Sequence, residues 1–491
     1  MKPFKYILSI HRILGTVLSI LFLMWFLSGM VMMYHTYPSL SNEERMAYAE
    51  QLTKGESVLP TIVHPTLSAL SLQQVAGRPV LTMTDSLGER LVDAQTGQGI
   101  NRISAAQLQQ IANRWHASHA SSSGAVLKDT LNAIDIWLIG AMPFKEYPIY
   151  HYELNDGKGS ELYLSSRTGR PLQLTDRESR FWAWVGAIPH WIYITKLRAT
   201  GRQPWTNTVL WISGFGIAMT LSGLIIGLRS MYQARRRKSS SRQHDKMAIT
   251  PYKKPLFRWH HLLGLCFGLF VLTWIFSGFM SLADAPQLIW PTHEEHSARE
   301  VYADSLQLHH FTLDVNRVVA SDNVRRIEWM QMGTHCFYHV WTANDEYLVD
   351  ATDSLPRRTM LTGKQCESIT GGKAEMIDHY DNYYVSQKRH LPLPVWRVTV
   401  NDADRSTYYI NPKTGDCRYY NTNRRAGKWM YTGLHALNIP FFVEHQALRK
   451  GILWALLLGG TAVSVTGVLL SVRYVRRLLH RQKKNDIRKR K

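Results

Sequence analysis

Apolar and polar positions are patterned on two scales along the chain. On the long scale, four stretches carry no Lys, Arg, Asp or Glu: Ile13–Thr36, Gln203–Leu228, Trp259–Ala283 and Gly451–Val472. A bilayer span needs about 20 mainly apolar residues, whereas a helix of a globular protein averages about 10–14. Four transmembrane helices are therefore predicted. On the short scale, the connections 37–202 and 284–450 alternate strand-like runs with turns. Val80–Thr84 and then Arg90–Gly97 predict a hairpin ending in a glycine turn, and Tyr347–Ala351 repeats its second strand. Ala105–His116 places Leu108, Ile111, Ala112 and Trp115 on one helical face. A helix packed on a small antiparallel sheet, roughly two such units per connection, is the expectation. The class is thus an α+β membrane protein.

Charge gives the spans a direction. The chain has 491 residues, with 58 Lys and Arg against 37 Asp and Glu, a formal net charge of +21. Such a balance first suggests nucleic acid or an anionic surface. Its location removes the nucleic-acid reading. Residues 1–12, 229–258 and 473–491 hold 23 basic and 2 acidic residues, Asp245 and Asp486, so the remainder nets zero. Basic loops stay in the cytoplasm. The expected order is a cytoplasmic N-terminus (1–12), span 13–36, periplasmic domain 37–202, span 203–228 and a basic cytoplasmic loop (229–258). Span 259–283, periplasmic domain 284–450, span 451–472 and a basic cytoplasmic tail (473–491) follow. No small-x-small cleavage site follows the first span, which therefore reads as a retained anchor. A 45% hydrophobic content excludes a disordered chain, and 4 cysteines exclude a disulfide scaffold.

The two halves resemble each other. His11-Arg-Ile-Leu-Gly15 recurs as His260-His-Leu-Leu-Gly264, and Trp25-Phe-Leu-Ser-Gly29 as Trp274-Ile-Phe-Ser-Gly278, each 249 residues on. Asp135-x-Trp137, Pro148-x-Tyr150, Tyr163 and Thr168-Gly169 match Asp381-x-Tyr383, Pro394-x-Trp396, Tyr409 and Thr414-Gly415 at 246. Trp184 and His190 match Trp429 and His435 at 245, Leu210-Trp211 matches Leu453-Trp454 at 243, and Gly223 matches Gly467 at 244. Small loop deletions produce such a drift. Both halves start in the cytoplasm, so the repeat is parallel, with its pseudo-twofold along the membrane normal. Matched residues are then expected at equal depth, facing each other across that axis.

On these motifs the chain resembles the PepSY-associated transmembrane family of bacterial inner-membrane proteins. The family opens a span with His-Arg-x-x-Gly and closes it with Ser/Thr-Gly, as at His11-Arg12…Gly15…Ser28-Gly29 and His260…Gly264…Ser277-Gly278. Leu162-Tyr-Leu-Ser-Ser-Arg-Thr-Gly169, Tyr408-Tyr-Ile-Asn-Pro-Lys-Thr-Gly415 and a His before the second span of each half are similar too. His261 departs from the pattern, standing where the first half has Arg12. The resemblance implies four transmembrane helices in two parallel repeats, each carrying an extracytoplasmic PepSY-like α+β domain. It also implies an inner-membrane location and b-type haem, since members include haem-containing ferric-siderophore reductases.

Histidines are then the residues to carry chemistry. Haem iron takes two axial ligands, and neutral imidazole is a common one. His11 with His260 would hold one haem near the cytoplasm, and His190 with His435 a second near the periplasm. His261, His35 and His445 are the backup ligands. Gly15, Gly29, Gly264 and Gly278 either let helices approach closely, the reading favoured here, or make room for a macrocycle. Trp25 and Trp274 read as packing residues. No Gly-x-Gly-x-x-Gly follows a strand, so the electrons must come from a quinol or a cytoplasmic flavoprotein. Two functions follow. One is a di-haem electron-transfer enzyme that reduces a periplasmic ferric siderophore or other ferric chelate, with Tyr383, Tyr384 and Trp396 as contact candidates. The other is a haem-free PepSY protein acting as a binding, peptidase-inhibitory or regulatory module. An oxidising periplasm permits one disulfide, with Cys366–Cys417 as the candidate pair.

Overall fold

The structure is a computed structural model that describes residues 2–53, 67–119, 124–140, 145–239, 249–293, 296–387 and 390–489. Four long helices dominate: α1 (Lys2–Met32), α3 (Gln203–Ser239), α4 (Pro255–Met280) and α6 (Gln446–Lys489). Two shorter ones matter below, α2 (Ala105–His119) and α5 (Gly363–Thr370). The four long helices are long and apolar enough to cross a membrane. A helix satisfies its own backbone polar groups, which lipid cannot do. The helices also run past the uncharged stretches, because Lys and Arg are good helix formers. Thus α3 continues to Ser239 and α6 to Lys489. Residues 240–248 of the basic loop, Asp245 among them, lie outside the described residues.

The bundle is built so that α1 packs on α6 and α3, and α4 packs on α3 and α6. Leu18, Phe22, Phe26, Met219, Val271, Ile275 and Leu457 form its core. Gly459 and Gly460 of α6 lie directly against the rings of Phe267 and Phe26, where a Cβ would collide. Only 22–33% of each helix's most apolar stretch is buried. Val17, Ile20, Trp211 and Leu269 point outward and exposed, as lipid-facing side chains do.

Sixteen strands among the described residues form three antiparallel sheets. The first connection holds β1 (Ala69–Val75), β2 (Arg78–Asp85), β3 (Gly88–Asp93), β4 (Gly99–Ile100), β5 (Val126–Leu131), β6 (Ile149–Glu153), β7 (Glu161–Ser165) and β8 (Pro171–Thr175). The second holds β9 (Arg326–Met332), β10 (His335–Trp341), β11 (Glu346–Asp350), β12 (Arg358–Thr359), β13 (Lys373–Ile377), β14 (Val395–Thr399), β15 (Thr407–Ile410) and β16 (Cys417–Tyr420). Each connection has its own four-stranded sheet, β5–β8 and β13–β16. The remaining strands join in one eight-stranded sheet, β12-β11-β10-β9-β1-β2-β3-β4. Its seam is β1 against β9, with Leu70 opposite Trp329 and Leu72 opposite Ile327. The seam holds both strand-rich connections together at the end of the bundle where α1 and α4 finish.

Burial explains why the seam holds. One face of the joined sheet buries Leu72, Leu81, Ile327, Trp329, Tyr338 and Val340 in a single core fed by both connections. The opposite face is covered by α2 through Leu108, Ile111, Ala112 and Trp115 on one side. On the other side Cys366 of α5 joins Phe337, Leu348, Val398 and Ile410. The hairpin anticipated at Val80–Gly97 is β2 with β3, Val80 opposite Asp93. Gly169 and Gly415 close the Thr-Gly turns at φ +72° and +77°, a region that glycine alone enters freely. The Cys366–Cys417 disulfide is not formed, and all four cysteines are free. Burial pushes the Cys366 and Cys417 thiols up to about 12, so both are held protonated in the core and lack the reactive thiolate.

Candidate functional site: two histidine pairs

The bundle brings the four matched histidines together in two pairs. His11 of α1 faces His260 of α4, with ring centroids 6.3 Å apart and planes at 39°. His190, at the end of the short helix Ala187–His190, faces His435 of the short helix Leu434–Ala436 at 6.1 Å and 72°. Ser28, which contacts His190, lies seventeen residues beyond His11 on α1. At 1.5 Å per residue that is about 25 Å, close to the depth of a bilayer's hydrocarbon core of about 30 Å.

Every Nδ1 in the set is engaged in the same sense. The Nδ1 of His11 meets the Met219 carbonyl at 3.0 Å. A carbonyl only accepts, so this Nδ1 carries the proton. His260 Nδ1 lies 3.0 Å from Thr466 Oγ1, whose own hydrogen goes to the Val463 carbonyl at 2.8 Å. His190 Nδ1 lies 3.1 Å from Ser28 Oγ and 3.2 Å from the Trp25 carbonyl, and Ser28 itself donates to Met24 at 2.7 Å. His435 Nδ1 lies 3.0 Å from Ser277 Oγ, and Ser277 donates to Trp274 at 2.9 Å. Each imidazole therefore donates from Nδ1, and in its neutral form keeps a lone pair on Nε2. Among the described residues no hydrogen bond reaches any of the four Nε2 atoms.

This is the arrangement of a metal-ligating histidine, whose other nitrogen donates to a carbonyl or hydroxyl. Two imidazoles on opposite sides of one metal ion place their centroids about 6 Å apart, since each metal–nitrogen bond is about 2 Å and each ring adds about 1 Å. Both pairs match that separation. Among the described residues no group of three or more His, Cys, Asp or Glu side chains is placed to hold a metal ion. The histidines face each other in twos, and a haem iron has two axial positions. The residues present fit the group.

Space is provided at both pairs. A Cβ on Gly223 would lie 2.6 Å from His11 Cε1, and one on Gly467 3.6 Å from His260 Cε1. A Cβ on Gly29 would meet His190 Cε1 at 3.5 Å, whereas Gly264 and Gly278 face open space. Close helix packing, the expectation for these motif glycines, holds at Gly29, where a Cβ would meet Leu457 Cδ2 of α6 at 3.3 Å. It fails at Gly264 and Gly278, where no neighbour lies within reach. Gly278 instead lines a cavity of about 1050 Å³ together with Trp25, Gly29, His190, Trp274 and His435. Burial pushes the imidazoles of His190 and His435 below their ordinary value, which keeps them neutral. Trp25 also fixes the approach, its Nε1 donating to the His190 carbonyl at 2.9 Å.

The backup residues point elsewhere. His261 is buried with Nε2 3.0 Å from the Gly227 carbonyl and its ring against Tyr252. His35 stacks on Trp182 at 4.2 Å. His445 is exposed and bonds the Phe441 carbonyl from Nδ1 at 2.9 Å. The contact candidates are packing residues. Tyr384 is buried, stacks on Tyr409 at 5.1 Å and donates to the Pro392 carbonyl. Trp396 donates to the Leu361 carbonyl at 2.7 Å, and Tyr383 packs on Tyr420. Sequence reasoning passed over the supports Ser28 and Ser277. Their signal was present, because each is the serine of the Ser-Gly motif that closes a span. No protein-family model matches the chain, and no curated protein matches it.

Proposed function

We propose that the chain is an inner-membrane electron-transfer protein that binds two b-type haems, one at His11/His260 and one at His190/His435. Its substrate is a ferric chelate of the siderophore class on the periplasmic side. The reading includes an internal duplication into two parallel repeats, with cytoplasmic termini and PepSY-like periplasmic domains. The observation that carries it is the fourfold histidine set, with Nδ1 donating and Nε2 without a partner at every position.

Haem would supply one-electron transfer. The chain's own residues do the rest. Met219, Thr466, Ser28 and Ser277 fix each imidazole's tautomer and aim. The apolar helices exclude water, and the two depths set the pairs at opposite sides of the bilayer. One electron converts the chelated Fe(III) to Fe(II), a less charged ion that oxygen donors hold more weakly. The electron enters from a quinol or a cytoplasmic flavoprotein.

A reduced-minus-oxidised spectrum of the detergent-purified protein tests this. A Soret shift and an α-band are expected, and His11→Ala and His435→Ala should each lose about one haem equivalent. Full haem content in both variants would reject the ligand set. A wild-type protein without haem would favour the binding or regulatory module instead.

A further inference from the structure

The cavity beside His190 and His435 contains a cation that the histidine scheme does not use. Arg449 lines it and is only 9% exposed. Its Nε donates to the Ala436 carbonyl at 2.9 Å, and its Nη2 donates to Gln387 Oε1. Both acceptors are uncharged. Ala436 directly follows His435, so the guanidinium is tied to the peptide beside the histidine. Lys450 lines the same cavity. The acid among the described lining residues is Glu444, which is exposed and forms no ion pair with either cation. Burying a guanidinium without a counter-ion is costly, and an anion brought into the cavity would offset that cost.

The cations come from one half only. At offsets of 243–244 the first half has Trp205, Thr206 and Asn207, none of them charged. Trp205 lines the cavity, and its Nε1 donates to the Trp191 carbonyl at 2.8 Å. The cavity thus has one cationic side and one aromatic side. Haem carries both of its carboxylates on one edge. We infer that Arg449, with Lys450 beside it, binds the carboxylates of the haem held between His190 and His435 and turns that edge toward the start of α6. A planar guanidinium pairs with a carboxylate through two parallel N–H bonds, which gives orientation as well as affinity. The inference rests on the haem reading.

The test uses the full-length His11→Ala protein, so that only the cavity pair is read. The protein is stripped of haem and titrated with haem and with its dimethyl ester, which has no charged carboxylates. The Soret band reports binding. Haem is expected to bind about tenfold or more tightly than the ester. Arg449→Gln should abolish that preference by weakening haem alone, and Arg449→Lys should keep part of it. Equal weakening of haem and ester in both variants would assign Arg449 to packing and overturn the inference. So would an Arg449→Gln protein with the preference intact. If neither ligand binds the His11→Ala protein, the haem reading at this pair falls, a result distinct from the other two.

Discussion

The two histidine pairs carry the same chemistry on different supports. His11 and His260 belong entirely to the bundle: they sit on α1 and α4, and their Nδ1 atoms bond α3 and α6. His190 and His435 sit on short helices that close the strand-rich connections. The bundle reaches them through Ser28 and Ser277. The first pair can shift only if the long helices shift. The second is held by the bundle and also by packing on a sheet, since Ala187 and Ile188 beside His190 join Ile149, Tyr163 and Leu172 in one core. The surroundings differ as well, tight behind His11 at Gly223 and open at the cavity beside His190.

The largest effect expected from this difference is at Gly223. A Cβ there would lie 2.6 Å from His11 Cε1, so Gly223→Ala must displace the ring. The same change at Gly264 meets nothing within 4 Å. Alanine is a better helix former than glycine by about 1 kcal/mol, so neither substitution should weaken its helix. On the proposed function, Gly223→Ala should therefore lose about one haem equivalent, the outcome expected of His11→Ala, while Gly264→Ala should keep both. Haem-to-protein ratios from a pyridine haemochrome assay decide it. Equal ratios in the two variants would show that the bundle pair is not held as tightly as its geometry implies.

A smaller effect separates the supports themselves. Ser277→Ala removes one acceptor from His435 Nδ1 but leaves the Trp274 carbonyl beside it. Outer hydrogen bonds to metal ligands are worth about 10–100-fold in affinity, and the remaining carbonyl points to the lower end, about tenfold. The loss should appear at the cavity pair alone. Thr466→Val should produce the converse at the bundle pair. Haem-transfer rates to an excess of apomyoglobin, followed for each variant, measure both. A Ser277→Ala protein that loses haem from both pairs equally would mean that the supports are not independent.

What could be read in advance follows from what a one-dimensional pattern records. The charge-free runs located the long helices because charge is excluded from lipid, but they missed the helical continuation to Ser239 and Lys489, where basic residues remain good helix formers. The matched motifs singled out His11 with His260 and His190 with His435, and the structure brings each of these two together. Between His260 and His261 the motif left the choice open, and the helix face made it: the buried His261 turns to Gly227. The seam between β1 and β9 left no trace, because strand pairing runs through the backbone and neither sequence names its partner. Arg449 was equally hidden. In the chain it is one more basic residue at a span's edge, and only the fold places it under His435.

The smallest expected effect is on pH dependence, and it belongs to the cavity pair. Burial holds His190 and His435 below the ordinary imidazole value of 6.5. In the unfolded chain the same rings take up protons as pH falls through that value, while the native rings stay neutral. The unfolded state then binds more protons, so stability falls as pH drops below 6.5; above it both states are neutral and the pair contributes no slope. The proposed haem ligation would act in the same direction, because only the neutral ring offers its Nε2 lone pair. Thermal midpoints of the detergent-solubilised protein should decline between about pH 7.5 and about pH 5.5. The His190→Ala/His435→Ala double variant should decline less over that range. Comparing the two slopes removes the contribution of the other histidines, which titrate in both proteins. Parallel slopes would mean that the cavity pair takes up protons as readily as exposed imidazoles do, and the contrast between the two supports would lose its electrostatic half.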